Sequence, residues 1–167
     1  GEPVAVASRS LASAEAFGSE HGIAACYGSY EELLADPDVD AVYVGTPNTL
    51  HAEWSIKAAE AGKHVLCEKP LALNHPEAMA IFEAARRHGV VVAEGFMYRF
   101  HPQTRRLVEL VTDGAIGALR LVDVVWGFDV PYDPDDRLSS PALGGGAILD
   151  IGCYGVSLAR ALAGATL

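Results

Sequence analysis

Apolar residues gather in runs of four or five along the first half of the chain, and between those runs they recur every three or four positions. The runs Val4–Ala7, Ala41–Gly45, His64–Cys67 and Val90–Glu94 predict strands, with a weaker one near Ile23–Cys26. The periodic segments Leu11–His21, Tyr30–Ala35, His51–Ala61 and His75–His88 predict helices. Strands and helices that alternate in this way predict an α/β chain with a doubly wound, Rossmann-type parallel sheet. Cap-type residues reinforce the helix starts. Ser10, Ser29 and Asn74 each precede a periodic segment, and Ser29 with Glu32 has the spacing of a capping box.

From Phe96 the pattern broadens. A helix at Pro102–Thr112, the apolar run Leu119–Phe128, the polar loop Asp129–Pro141 and a helix over about Gly146–Ala163 predict the start of an α+β domain on a broad sheet. The expected division is a partial dinucleotide-binding domain at 1–95 and the beginning of a substrate domain at 96–167. A nucleotide-binding sheet ordinarily opens with a strand, a glycine-rich turn and a helix that receives the pyrophosphate. This chain opens on what reads as the second strand and contains no Gly-x-Gly-x-x-Gly. Gly144-Gly145-Gly146 cannot replace that turn, because no short strand precedes it. The expectation is a fragment of a longer protein.

Composition narrows the classes. Half of the residues are hydrophobic and 20% are charged, enough apolar material for a core and too little charge for disorder. A formal net charge of −10 with scattered basic residues disfavours nucleic acid as a partner. Cys26, Cys67 and Cys153 are far apart and lack a Cys-x-x-Cys spacing, so neither a disulfide framework nor a metal site is expected. No uninterrupted apolar stretch approaches the ~18 residues of a membrane span, and the expected compartment is the cytoplasm.

The residues with chemistry cluster at strand ends. Lys69, in Glu68-Lys69-Pro70, stands at the carboxyl end of a strand read as buried, where open α/β sheets place ligands. Pro70 fixes its own φ and pushes Lys69 away from helical backbone, so the ammonium is aimed. Arg9, next to Ser8, follows the first strand where an acidic residue would hold the ribose hydroxyls of NAD. An arginine there suits a 2′-phosphate or is a solvated residue before a helix; the residues leave both open. Pro47-Asn48 reads equally as a turn with a helix cap.

Ordered motifs extend this picture. The stretch Ala61–Ala72 containing His64-Val65-Leu66-Cys67-Glu68-Lys69-Pro70, the segment Gly45-Thr46-Pro47-Asn48 with His51, the segment Glu94–Pro102, and Gly144–Tyr154 together resemble the signatures of the Gfo/Idh/MocA oxidoreductases. Tyrosine at 154, where many members carry histidine, resembles the glucose-fructose oxidoreductase, dihydrodiol dehydrogenase and NADP-dependent xylose dehydrogenase branch.

The resemblance implies an NAD(P)-dependent dehydrogenase acting on CH–OH groups, with hydride passing between a nicotinamide and a carbinol carbon of an aldose, cyclic polyol or trans-dihydrodiol. It implies NADP as the preferred cofactor, with NAD possible. Lys69, Tyr154 and Asp150 are the implied catalytic residues, and Ser8, Arg9, Thr46, Pro47, Asn48, His51, Glu68 and Lys69 the implied cofactor contacts. Tyr98, Arg99, Phe100 and His101 follow the last strand of the first domain and are expected at a small polar substrate. A nearby ammonium favours phenolate, so Lys69 is expected to lower the pKa of Tyr154. Tyr154 lies four residues after Asp150, which places both on one helix face. The implied partners are a sugar or diol substrate and further copies of the chain joined through the C-terminal sheet; no membrane partner is expected. Other readings are a non-catalytic nucleotide or sugar sensor and a redox glycosidase that holds NAD tightly.

Overall fold

The computed structural model describes residues 1–164, so the last three residues of the expected segment 96–167 lie outside the described residues. The elements are β1 (Ala5–Ala7), α1 (Leu11–His21), β2 (Ala25–Tyr27), α2 (Tyr30–Ala35), β3 (Ala41–Val44), α3 (His51–Glu60), β4 (His64–Cys67), α4 (His75–His88) and β5 (Val92–Glu94). They are followed by α5 (Pro102–Thr112), a π-helical turn over Ile148–Gly152 and α6 (Cys153–Leu162). The chain divides into two compact units: Gly1–Val44, Ala52–Cys67 and Pro76–Ala93 make the first, and Gly45–His51, Glu68–His75 and Glu94–Leu167 the second.

In the first unit β1 pairs parallel with β2, and β3 pairs parallel with β4 in the register Ala41↔His64 to Val44↔Cys67. The strands form two sheets, β1-β2 and β3-β4-β5. Helix α4 buries Ile81, Ala84 and Ala85, the three-and-four spacing of one helix face. Gly18 permits the close packing of α1: a Cβ there would lie 2.5 Å from Cys26 Sγ and 2.7 Å from the Ile23 carbonyl oxygen. The capping box holds in modified form, with Ser29 Oγ accepting the Glu32 N–H at 3.3 Å while the Glu32 carboxylate accepts the N–H of Gly28 at 3.1 Å.

Several expectations change. Strand β4 is not buried on both faces: Val65 and Cys67 are buried, whereas Leu66 is 45% exposed beside Tyr43 of β3 at 62%. The alternation means that this sheet covers an apolar face on one side only. Residues 119–128, apolar and β-prone, form no strand among the described residues. A strand is completed by hydrogen bonds to a neighbour, and no described segment is paired with this one. The final helix is interrupted by the π turn. By length and composition alone, the 22-residue segment Pro141–Leu162 holds an 18-residue window of mean hydropathy 1.4, apolar enough to cross a membrane. Ile148, Leu149, Ile151, Val156 and Leu158 raise that mean although Asp150, Ser157 and Arg160 break the run.

Candidate active site

The site lies within the second unit and begins at the turn that leaves β4. The Lys69–Pro70 peptide bond is cis. Lys69 Nζ donates to the Asp150 carboxylate Oδ1 at 2.9 Å and also to the Asp150 backbone carbonyl. The side chains are only 16% and 18% exposed, so this is a largely desolvated pair; removing one partner from such a pair costs about 3–5 kcal/mol. The π turn places Asp150 so that its carbonyl and carboxylate both face the ammonium. One turn later Tyr154 presents its ring 5.3 Å from the same Nζ.

The expected face is therefore present, with Lys69 touching both Asp150 and Tyr154. The influence of Lys69 on the Tyr154 pKa has the expected sign but is outweighed. Burial pushes the Tyr154 phenol above its ordinary value, and the opposing pull of Lys69 is the smaller influence. Geometry explains the outcome: the ammonium stands against the ring, while the hydroxyl points to Met97 Sδ at 3.8 Å. Burial likewise raises the Cys153 thiol.

Aromatic rings surround Tyr154. Phe96 meets it edge-on at 5.2 Å, Tyr98 lies at 5.8 Å and Trp126 at 5.5 Å between ring centroids. A cavity of about 520 Å³ opens over this cluster, lined by Lys69, Asp150, Tyr154, Tyr98, Trp126 and Arg137 among others. Its walls are aromatic and aliphatic, with the Lys69–Asp150 pair as a polar floor, the composition of a small-ligand pocket.

The neighbouring loop is fixed by its own contacts. Asn48 Nδ2 donates to the Gly144 carbonyl at 3.0 Å. Gly144 has φ +74°, and a Cβ there would lie 2.5 Å from Leu73 Cδ2 and 3.1 Å from Asn48 Cβ, so glycine alone allows this approach. His51, 1% exposed, sets Nδ1 2.7 Å from the Pro70 carbonyl and Nε2 2.8 Å from the Thr46 carbonyl. Glu94 accepts the Leu71 N–H at 2.8 Å.

Residues 1–96 match the family described as an oxidoreductase family with an NAD-binding Rossmann fold, and residues 104–167 match the GFO/IDH/MocA C-terminal domain. The chain belongs to the GFO/IDH/MocA oxidoreductase family. It is 48% identical over 163 residues to D-xylose 1-dehydrogenase (NADP(+)) 2 of Haloferax volcanii, covering 98% of this chain and 50% of that protein. It is 44% identical over 151 residues to trans-1,2-dihydrobenzene-1,2-diol dehydrogenase of Danio rerio, covering 90% of this chain and 45% of that one. Among solved structures it resembles KijD10, a 3-ketoreductase from Actinomadura kijaniata in complex with NADP and TDP-benzene. That match has a TM-score of 0.82 and 39% identity, covering 97% of this chain and 49% of the other. The chain thus spans about half the length of these relatives.

For a member of this family the cofactor fit can be judged on the residues themselves. Thr46 Oγ1 and Tyr98 Oη are buried and have no hydrogen-bond partner among the described residues. A buried polar atom left unpaired costs about 1–3 kcal/mol, which a bound polar group relieves. Exposed Arg9 is a cation available to phosphate, and the Ser8 N–H bonds the Tyr27 carbonyl at 3.1 Å. In the first unit the Arg9 guanidinium suits a phosphate group.

The structure brings together Lys69, Asp150, Tyr154 and Tyr98, and it joins Thr46, Asn48 and His51 to the same unit. The carboxylate of Glu68 accepts the Lys69 N–H at 3.2 Å. Phe100 is 67% exposed, His101 caps α5 by accepting the Gln103 N–H, and Arg99 acts electrostatically on Glu94; these three are not among the cavity residues. Sequence reasoning missed Trp126, Phe128, Arg137 and Glu94. Trp126 and Phe128 had one available signal, the i, i+2 aromatic pair inside an apolar run.

Proposed function

We propose that this chain carries the catalytic turn and part of the cofactor site of an NADP-dependent oxidoreductase that acts on CH–OH or C=O carbons of aldoses, cyclic polyols or trans-dihydrodiols. The observation that carries the reading is the Lys69–Asp150 pair set beneath the Tyr154 ring at an aromatic cavity. A pair that buried is costly to keep in a protein that only senses ligand. We assign residues 1–95 to the dinucleotide-binding part and 96–167 to the substrate part. Scattered cysteines without a disulfide spacing support a cytoplasmic setting, and assembly through the C-terminal part completes the proposal.

When bound, the nicotinamide supplies hydride acceptance or donation. Arg9 and Ser8 hold the 2′-phosphate, while Thr46, Pro47, Asn48, His51 and Glu68 shape the remainder of the cofactor site. Asp150 aims Lys69, and the ammonium stabilises negative charge as it develops on the substrate oxygen. The Tyr154 hydroxyl exchanges the proton at that oxygen. Tyr98 at the cavity, with Arg99, Phe100 and His101 near it in sequence, completes the substrate set. Because burial raises the Tyr154 phenol, it is protonated at neutral pH and serves first as an acid. Carbonyl reduction then proceeds at neutral pH, and carbinol oxidation accelerates in alkaline solution.

The test is a panel of aldoses, cyclic polyols and trans-dihydrodiols offered to the intact gene product with NADP and with NAD, reading reduced cofactor. Turnover with at least one of these classes, faster with NADP, is expected. Failure with every class, or NAD turnover exceeding that with NADP, contradicts the reading.

A further inference from the structure

We propose that Met97 is a peroxide-sensitive modification site: oxidised to the sulfoxide, its side chain becomes an acceptor that holds the Tyr154 hydroxyl and withdraws it from the substrate oxygen. The proposal rests on the reading of Tyr154 as the group that exchanges a proton at that oxygen. Its basis is one contact. Tyr154 Oη donates to Met97 Sδ at 3.8 Å, and Met97, 65% exposed at the start of a 3₁₀ turn over Met97–Phe100, lines the same cavity. A thioether is a weak, polarisable acceptor, so the hydroxyl leaves it readily when a substrate oxygen arrives. Burial raises the Tyr154 phenol, so at neutral pH the hydroxyl keeps the proton it donates.

Hydrogen peroxide supplies the oxygen. A lone pair of the sulfur attacks the O–O bond, which breaks; one oxygen joins the sulfur and the other leaves with both protons as water. The sulfur is oxidised by two electrons and the peroxide is reduced by two. The product is polar where the thioether was apolar, and the new oxygen is carried by the atom that already faces the Tyr154 hydroxyl. The thiol next to Tyr154 in sequence competes poorly. Peroxide oxidises the thiolate, and burial holds the Cys153 thiol above its ordinary value. The chain has two methionines, and the second, Met79, provides an internal control. It is 52% exposed on α4 of the first unit and does not line the cavity.

The intact gene product is treated with hydrogen peroxide, mapped for added oxygen by peptide mass spectrometry, and assayed against its own untreated sample. Oxygen is expected at Met97, with kcat falling on the order of tenfold. The loss is expected to persist in Met79→Leu and to vanish in Met97→Leu, a swap that conserves volume. Methionine sulfoxide reductase with a thiol reductant is expected to restore the rate. Met97 left unoxidised, an unaltered kcat with Met97 fully oxidised, or an equal loss in Met97→Leu overturns the proposal. A second readout needs no turnover. The difference between infrared spectra after ¹⁶O and ¹⁸O peroxide isolates the sulfoxide S=O stretches, and the band absent from Met97→Leu is that of Met97. Its frequency is expected to be lower than in Tyr154→Phe, where the donor is gone; coincident frequencies overturn the hydrogen bond. If the untreated protein turns over no sugar or diol with NADP, the functional reading fails, and the infrared shift still decides the contact.

Discussion

Two strand ends of this chain carry a cation, and they are built differently. After β4, Lys69 is enclosed: Asp150 takes its ammonium, the Tyr154 ring flanks it, and His51 and Glu94 hold the residues that follow it. After β1, Arg9 is exposed, and no ion pair to it occurs among the described residues. The difference matches the demands of the two proposed roles. A group that acts on a reacting atom must be held before substrate arrives. A group that binds a phosphate can take its geometry from the ligand, since a charge-assisted contact tolerates a mobile partner.

The largest expected effect breaks the enclosed end. Lys69→Ala should lower turnover on the order of 10²-fold or more while leaving cofactor affinity nearly unchanged, read as a split between kcat and the cofactor Kd. Equal loss in both would make the two strand ends alike. Arg9→Ala addresses the open end: losing one charge-assisted phosphate contact costs about 1.5–3 kcal/mol, roughly ten- to a hundredfold in NADP affinity, with NAD affinity little altered. Titration calorimetry with both dinucleotides checks it, and equal weakening of the two removes Arg9 from the phosphate site.

A smaller effect sharpens the enclosed end. Burial holds the Glu94 carboxyl above its ordinary 4.5. As pH rises from 4.5 through the raised value, the unfolded chain has released a proton that the folded chain still holds, so unfolding stability declines across that window. Glu94→Gln should flatten this decline in denaturation midpoints measured along a pH series. An unaltered slope would take Glu94 out of the set of groups that titrate with folding.

Much of this contrast was legible in the sequence, for local reasons. Helices α1, α2, α4 and α5 and strand β4 have the bounds that periodicity and flanking residues predict. The strand-end place of Lys69 and the shared face of Asp150 and Tyr154 were legible because both follow local rules, whereas the roles assigned to them rest on the resemblance. Other features depend on partners distant in sequence. Residues 119–128 have strand composition but no paired neighbour among the described residues. The π turn over 148–152 adds a residue to a helix without an apolar-pattern signal. The direction of the Tyr154 shift was misread because spacing gives the distance to an ammonium but not the burial that outweighs it. The His51 contacts join residues 46, 51 and 70, which no helical or strand period connects.

The proposed function requires that hydride pass directly between substrate and NADP beside Lys69 and Tyr154. Its most direct test uses a substrate accepted by the intact gene product and deuterated at the carbinol carbon, with the label followed by mass spectrometry. Deuterium is expected in the reduced nicotinamide with wild-type protein, and its loss, at comparable NADP binding, in Lys69→Ala. Deuterium released to solvent, or transferred at an undiminished rate by the variant, would contradict it.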